Sequence, residues 1–346
     1  MSGGGSARGS SSTATRRVTI TDVAAAAGVA ASTVSRALSV PGRVNSSTRE
    51  RIERAARELN YVRSGKARGA GRTDTIAVLV SDVTNPFYFG IIRGTQQQLR
   101  AGGYAHLLID TEDSAELENH LLDKMRGSID GAILAASRLS EAALSSVAAE
   151  TPVVTINRNV TGVASVIIDS PAGVGQAVEH LISLGHRKIV YVCGPPTSWA
   201  NEARWRAMRT TMAHHGLSAT KIGPFPASQR NGTAAADSLI NTHATACIAF
   251  NDLLAIGMLT RLRERGVGVP DDISVVGCDD IFGADFCQPP LTTLTAPIER
   301  AGRVAVAMLV ARLNDGFVRG SRESVMLPTH LTVRDSTGPV RRGDPT

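Results

Sequence analysis

The chain has 346 residues, 42% of them apolar and 20% charged, with a net charge of +6, enough for more than one domain and for a sizeable core. It holds no run of about 18 apolar residues, which argues against a membrane-spanning helix, and its start lacks the apolar segment of a secretory signal, so a cytoplasmic protein is expected. The four cysteines, Cys193, Cys247, Cys278 and Cys287, are scattered and suggest neither a disulfide framework nor a zinc-finger spacing.

Residues 1–17 form a low-complexity leader rich in Gly, Ser and Thr. From Val18 to Leu38, Ile20, Val23 and Ala27 fall at helical spacing, Gly28 permits a sharp turn, and Val34, Ala37 and Leu38 resume a helical face. The spacing predicts two helices joined by a tight turn, compatible with a helix-turn-helix or with a plain surface hairpin. Ser32, Ser35 and Arg36 put short or forked donors on the second helix, which suits contact. Thr48 to Leu59 predicts a third helix, with Ile52, Ala55, Ala56 and Leu59 on one face. The polar, glycine-rich stretch from Arg63 to Arg72 reads as a linker.

Charge is divided unevenly. Residues 1–72 carry 13 Lys and Arg against 4 acids, a net of +9, which leaves 24 basic and 27 acidic residues, a net of −3, in the rest. A basic head on a mildly acidic body fits a polyanion-binding module joined to one that does not bind polyanions.

Beyond Thr75 short β-branched runs alternate with helical stretches. The runs are Ile76–Val80, His106–Asp110, Ala132–Ala135, Val153–Asn157, Ile189–Cys193, Cys247–Asn251 and Ile273–Asp279, and the helical stretches include Ile91–Leu99 and Ile298–Leu313. This predicts α/β structure with parallel sheets, and its length predicts two similar lobes. Ligands of such sheets bind beyond the carboxyl ends of the strands. Those ends offer Asn85-Pro86-Phe87-Tyr88, Asp110, Asn157-Arg158, Asn251-Asp252 and Asp279-Asp280. Each Asn or Asp alone can be a helix cap; together they form a set that pairs with vicinal hydroxyls, beside aromatic rings that cover a pyranose face.

The run Val-Thr-Ile-x-Asp-Val-Ala-x-x-Ala-Gly-Val from Val18, followed by Ser32-Thr33-Val34-Ser35-Arg36-Ala37-Leu38 and Thr48-Arg49-Glu50-Arg51-Ile52, resembles the DNA-binding head of the lactose repressor family of bacterial transcription regulators. The resemblance implies an all-α helix-turn-helix head on a two-lobed α/β core with parallel sheets, similar to periplasmic sugar-binding proteins. It implies a homodimer, or a higher assembly, on a pseudo-palindromic double-stranded operator. Arg36, Ala31 and Ser32 would face base edges, and Thr19, Thr33, Ser35 and Thr48 would hold phosphates, with Ser39 and Asn45 also at the DNA. Ala70 stands where the family has a minor-groove Leu wedge, which predicts weaker kinking; Ala30 replaces a Ser able to cap the second helix.

In the core the resemblance implies three crossings between lobes, near Ile168, Leu294 and Pro328. The resulting divisions are head 18–63, linker 64–74 and core 75–346, with lobe 1 at about 75–168 and 295–327 and lobe 2 at about 169–294 and 328–336. Arg204, nine residues after Gly194-Pro195, matches the family's effector-gripping arginine, and Asn251 and Asp279 match polar ligand positions. Phe87 and Tyr88 fall at the pocket aromatic position. The usual stacking aromatic is Ala227 here, so Trp199 either supplies the ring or is a core residue.

The effector set is therefore Phe87, Tyr88, Asp110, Asn157, Arg158, Trp199, Arg204, Asn251 and Asp279, and the effector a sugar or sugar derivative, with a purine or nucleoside as the alternative. No Gly-x-x-x-x-Gly-Lys phosphate loop or Gly-x-Ser-x-Gly elbow is present, so an enzyme is not expected, and no cofactor or metal is implied. His180, His186, His214 and His215 show no metal-ligand spacing and read as surface or capping residues. A solute-binding protein remains the alternative from another class. The resemblance favours a repressor of carbohydrate-utilisation genes.

Overall fold

A computed structural model describes residues 19–39, 45–59, 72–314 and 323–341. The amino-terminal residues and those from Arg72 onward form two separate units.

Among its described residues the first unit has three helices: α1 (Ile20–Ala27), α2 (Ala31–Ser39) and α3 (Ser46–Glu58). Thr19 opens α1 with a capping box, its hydroxyl accepting from the Asp22 N–H while the Asp22 carboxylate accepts from the Thr19 N–H. Gly28 closes the helix at φ +63°, a left-handed conformation costly for a residue with a Cβ. Val23, Ala27, Val34, Ala37, Ile52 and Ala55 fill a small core. The turn is pinned from α3, where Arg51 Nη2 donates to the Ala27 carbonyl at 2.6 Å.

The second unit contains β1 (Thr75–Val80), α4 (Phe87–Gly102), β2 (Ala105–Asp110), α5 (Ala115–Met125), β3 (Gly131–Ala135), α6 (Glu141–Glu150), β4 (Val153–Ile156) and β5 (Ala164–Ile168). There follow α7 (Ser170–Ser183), β6 (Ile189–Val192), α8 (Trp199–His214), β7 (Thr220–Ile222), α9 (Gly232–Ile240), β8 (Ala246–Ala249), α10 (Asp252–Glu264), β9 (Ser274–Asp279) and β10 (Thr292–Thr295). Last come α11 (Ile298–Asn314), β11 (Ser324–Leu327) and β12 (His330–Thr332).

Two six-stranded sheets result, ordered β11-β5-β4-β3-β1-β2 and β12-β10-β9-β8-β6-β7. The pairings are parallel except β10 with β12, an antiparallel edge. Strand side chains alternate between two covered faces, which is why the central strands read as unbroken apolar runs. In β1, Ile76, Val78 and Val80 pack toward α4 and α11, while Ala77 and Leu79 join the opposite core with Leu122 and Leu144. In lobe 2, Val190 and Val192 meet Leu254 and Met258, and Ile189 and Tyr191 meet Val178 and Met208.

The chain changes sheets three times: between Ile168 and α7, between Thr295 and α11, and between Leu327 and His330. Where α4 meets α11 the backbones touch, and a Cβ on Gly94 would lie 2.1 Å from the Glu299 carbonyl oxygen. Residues 72–74, assigned to the linker by sequence, are tied to lobe 1. Arg72 donates to Asn314 and to the Leu313 carbonyl, and the Thr73 and Asp74 N–H groups donate to Asp130. Lobe 2 extends past 336, with Val340 N bonded to Leu184 O and Arg341 paired with Asp272.

His186 corrects its expected surface or capping role. It is buried, with Nδ1 at 2.9 Å from Thr245 Oγ1 and Nε2 at 3.0 Å from both Ser274 Oγ and Gly338 O. All four cysteines are free thiols. Among the described residues no helix is long and apolar enough to cross a membrane.

Candidate functional sites: the helical head and the cleft between lobes

In the head, α2 presents Ser32 exposed and Ala31 and Thr33 half-buried, with Ala31 packed against the small core. Ser35, Arg36 and Ser39 lie on the same helix. Ala30, preceding it, brings no side-chain oxygen to cap it. Thr19 is exposed, with Oγ1 donating to Asp22 Oδ2 at 2.7 Å. Asn45 caps α3, accepting from Ser47 N and Ser47 Oγ at 3.0 Å each, and Thr48 stands half-buried in the first turn of α3. Arg54 and Arg57 are exposed on that helix, and Arg49 pairs with Glu53 at 2.7 Å. Ala70 lies outside the described residues.

In the core, the carboxyl ends of β1, β2, β3, β4, β6, β8 and β9 surround a cleft of about 460 Å³, within the range of about 300–1,000 Å³ usual for small-molecule sites. Of the residues expected at the effector, Phe87, Tyr88, Asp110, Asn157, Trp199, Arg204, Asn251 and Asp279 line it. Arg158 does not. Its Nη2 donates to the Leu139 carbonyl at 3.1 Å and its own carbonyl accepts from Thr155 Oγ1 at 2.5 Å, ties that hold it to lobe 1 away from the lining. The guanidinium on that wall is Arg138 instead.

The centre of the lobe 2 wall is an ion pair. Arg204 Nη2 donates to Asp279 Oδ1 at 2.9 Å, Nη1 donates to the Phe250 carbonyl, and both side chains are about nine-tenths buried or more. Arg204 Nε is buried and has no partner among the described residues. The guanidinium lies over the Phe250 ring, 5.3 Å from its centroid. That ring has room because position 194 is glycine: a Cβ there would sit 2.2 Å from it. Burial pushes the Asp279 carboxyl up to about 6 although Arg204 opposes the rise. Burial works against the charge of Arg204, but its neighbours, Asp279 first among them, together outweigh it and the guanidinium is held more firmly protonated than usual. Asp279 adopts φ +113° at the end of β9 and caps no helix.

Several junction residues serve the backbone as well as the cleft. Asn251 Oδ1 accepts from Leu254 N at 3.0 Å, Asn157 Oδ1 from Ile168 N at 3.0 Å, and the Asp110 carboxylate from Glu112 N and Val83 N. Asp252 and Asp280 knit lobe 2 together: Asp252 takes Thr293 Oγ1 at 2.6 Å and Ile281 N at 2.9 Å, while Asp280 takes Arg334 and Thr295. Burial, then the charge of Asp279, push Asp252 up to about 7. Phe87 and Tyr88 meet edge to face at 5.2 Å, and burial raises the Tyr88 phenol to about 12. Trp199, half-buried at the start of α8, lines the cleft and belongs to neither lobe 2 core cluster.

Sequence reasoning misses Ser81, Asp82, Thr84, Glu112, Asp113, Ser137, Arg138, Ser198 and Phe250, all in the lining. The end of β3 gives little signal because Ala135-Ala136-Ser137 is small and weakly polar, and Arg138 follows three residues after the strand. Counting a full turn beyond each strand end would find it. Phe250 reads as strand core because it precedes Asn251.

Residues 19–64 match the model of the lacI family of bacterial regulatory proteins, and residues 178–337 match a periplasmic binding protein-like domain. The transcriptional regulator DegA of Bacillus subtilis is 32% identical over 336 residues, covering 94% of this chain and 99% of its own. The chain belongs to the lacI family. Among solved structures, the transcriptional regulator CelR in complex with cellobiose is 32% identical with a TM-score of 0.69, the match covering 92% of this chain and all of that one. The Lac repressor dimer bound to operator and an anti-inducer is 26% identical with a TM-score of 0.78, covering 93% and 100%. The chain is a DNA-binding transcriptional regulator with a helix-turn-helix head and an effector-binding core, and not an enzyme.

Proposed function

We propose that the protein is a cytoplasmic, homodimeric repressor of carbohydrate-utilisation genes that reads a pseudo-palindromic operator and is controlled by a sugar or sugar derivative in the cleft. The observation that carries the effector reading is the buried Arg204–Asp279 pair set among amides, hydroxyls and carboxylates, with Trp199, Phe87, Tyr88 and Phe250 beside it. A guanidinium N–H without a partner donates to a ring or hydroxyl oxygen, a carboxylate accepts from hydroxyls, and aromatic faces cover the C–H face of a sugar. The cellobiose complex of CelR supports the same class.

For the DNA, Arg36 on α2 reads a base edge with Ala31 and Ser32, Thr19, Thr33, Ser35 and Thr48 contact the backbone, and Ser39 and Asn45 also lie at the DNA. Because Thr19 and Asn45 also cap helices, each would position its helix as well as meet the DNA. Two heads on a two-fold axis explain the palindrome.

The effector reading is tested by thermal denaturation of the full chain with neutral mono- and disaccharides. A ligand at a hundredfold excess over its Kd adds about 2.7 kcal/mol, a readily resolved shift. Stabilisation by nucleosides and by no sugar would replace the reading with the purine alternative.

A further inference from the structure

The cleft holds two guanidinium groups, and each already faces a carboxylate. Arg204 pairs with Asp279. Arg138, its side chain almost wholly buried, donates from Nε to Asp113 Oδ1 at 2.8 Å, with Nη2 also 2.8 Å from that oxygen. Asp82, Asp110 and Glu112 line the same space with no cation of their own among its lining. The cleft is therefore net negative, and a lining of one predominant sign disfavours a ligand of the same sign.

Four helix starts near the cleft, which can serve as anion sites, are also engaged. Asn85 accepts from Phe87 N, Ser114 from Leu117 N, Ser198 from Asn201 N and Asn251 from Leu254 N, at 3.0 to 3.4 Å. Side-chain oxygens there add further electron-rich atoms facing any incoming phosphate.

Asp113 is placed by its backbone. Glu112 and Asp113 both adopt left-handed conformations, φ +50° and +59°, and Asp113 N is tied to the Ser81 carbonyl at 2.6 Å. Two consecutive residues with side chains in this region are uncommon, and here they bring the carboxylate onto Arg138.

We propose that Asp113 sets the charge selectivity of the cleft: by occupying Arg138 it withholds the cation an anionic ligand would need, so the effector is an uncharged polyol and its phosphate or carboxylate forms are excluded. The proposal rests on the polyol reading of the site and specifies its class. Removing the Asp113 charge releases Arg138 and opens the cleft to anions.

The test is isothermal titration of the full chain with neutral mono- and disaccharides, each paired with its phosphate or uronate, and with adenosine paired with adenosine monophosphate. In wild type the neutral member of the binding pair should be tighter by about tenfold or more, since like charges facing each other across a binding site are unfavourable even where Glu112 and Asp113 keep contact with solvent. Asp113→Asn, a residue tolerant of the left-handed region, should narrow that ratio about tenfold or more through new charge-assisted bonds from Arg138. Asp113→Asn combined with Arg138→Gln should restore the exclusion. Asp113→Ser repeats the test should the Asn variant fail to fold.

An anionic member binding wild type as tightly as its neutral partner overturns the proposal, as does an unchanged ratio in both Asp113 variants. Selective binding of adenosine over its monophosphate would support the charge selectivity while refuting the sugar reading. Binding by no pair at all contradicts both.

Discussion

Arg204 and Asp279 lie buried against each other, and removing either alone leaves the other charge uncompensated. Asp279→Ala should cost about 3–5 kcal/mol of core stability as well as effector binding, so a lowered melting temperature does not by itself show that Asp279 has only a structural role. The informative variant replaces both. Arg204→Met with Asp279→Asn, an amide that tolerates the positive φ of that position, should cost less stability than Asp279→Ala alone, because no buried charge is left unpaired, while abolishing sugar binding. Urea denaturation and titration calorimetry on one preparation separate the two effects; retained binding would remove the pair from the site.

The raised carboxyls also predict a pH dependence. Asp279 and Asp252 have folded values of about 6 and about 7 against an ordinary 3.8, so the folded chain holds these protons more tightly than the unfolded chain. Their contribution to stability is whole below 3.8 and is lost as pH rises through those folded values. Asp252→Asn should flatten the part of this decline near neutral pH, measured by denaturation at a series of pH values; an undiminished slope would assign the protonation elsewhere. Asp279 is legible in the sequence as a cleft carboxylate because it ends a strongly apolar strand. Its partnership with Arg204, 75 residues away, is a product of the tertiary fold. Arg158 misleads because adjacency to Asn157 says nothing of direction: Asn157 turns at φ +56°, and the arginine beyond it is tied to Leu139.

Elements are legible where burial on both faces leaves a mainly apolar run, as in β1, β3 and β9. The short edge strands β7 and β12 are not. With Thr220 and Lys221 exposed in β7 and His330 exposed in β12, they carry no apolar run, and only their sheet neighbours make them strands. Apolar periodicity starts α4 too late, at Ile91, whereas the helix begins at Phe87, because its first turn also supplies the cleft. The contact between α4 and α11 gives a prediction at this scale. Gly94→Ala would press a methyl group against the Glu299 carbonyl, a backbone atom held within a helix, and should destabilise the core by about 1–3 kcal/mol or more; urea denaturation should show a lower midpoint. On the other unit, α2 is the element expected to read DNA. Arg36→Ala should reduce discrimination at one base position by about 1–3 kcal/mol. Competition between a selected palindrome and its single-base variants measures this, and unchanged discrimination would exclude Arg36 as a base reader.

At the level of the whole molecule, the basic head and the mildly acidic core express a division of labour that the charge count alone makes visible. The three changes of sheet make each lobe depend on distant parts of the chain, so a ligand gripping both walls of the cleft acts on segments from Ser81 to Asp279 at once. Control follows only if the sugar prefers one arrangement of the core and the operator prefers another. The direct measurement is fluorescence anisotropy of a labelled palindrome, selected by the protein itself, titrated with full-length chain in the absence and presence of a saturating sugar already shown by calorimetry to bind. Operator affinity should change by about 5–150-fold, the range of ordinary allosteric coupling, and the operator should change sugar affinity by the same factor in the same direction. A sugar that occupies the cleft and leaves operator affinity unchanged would contradict a sugar-controlled repressor.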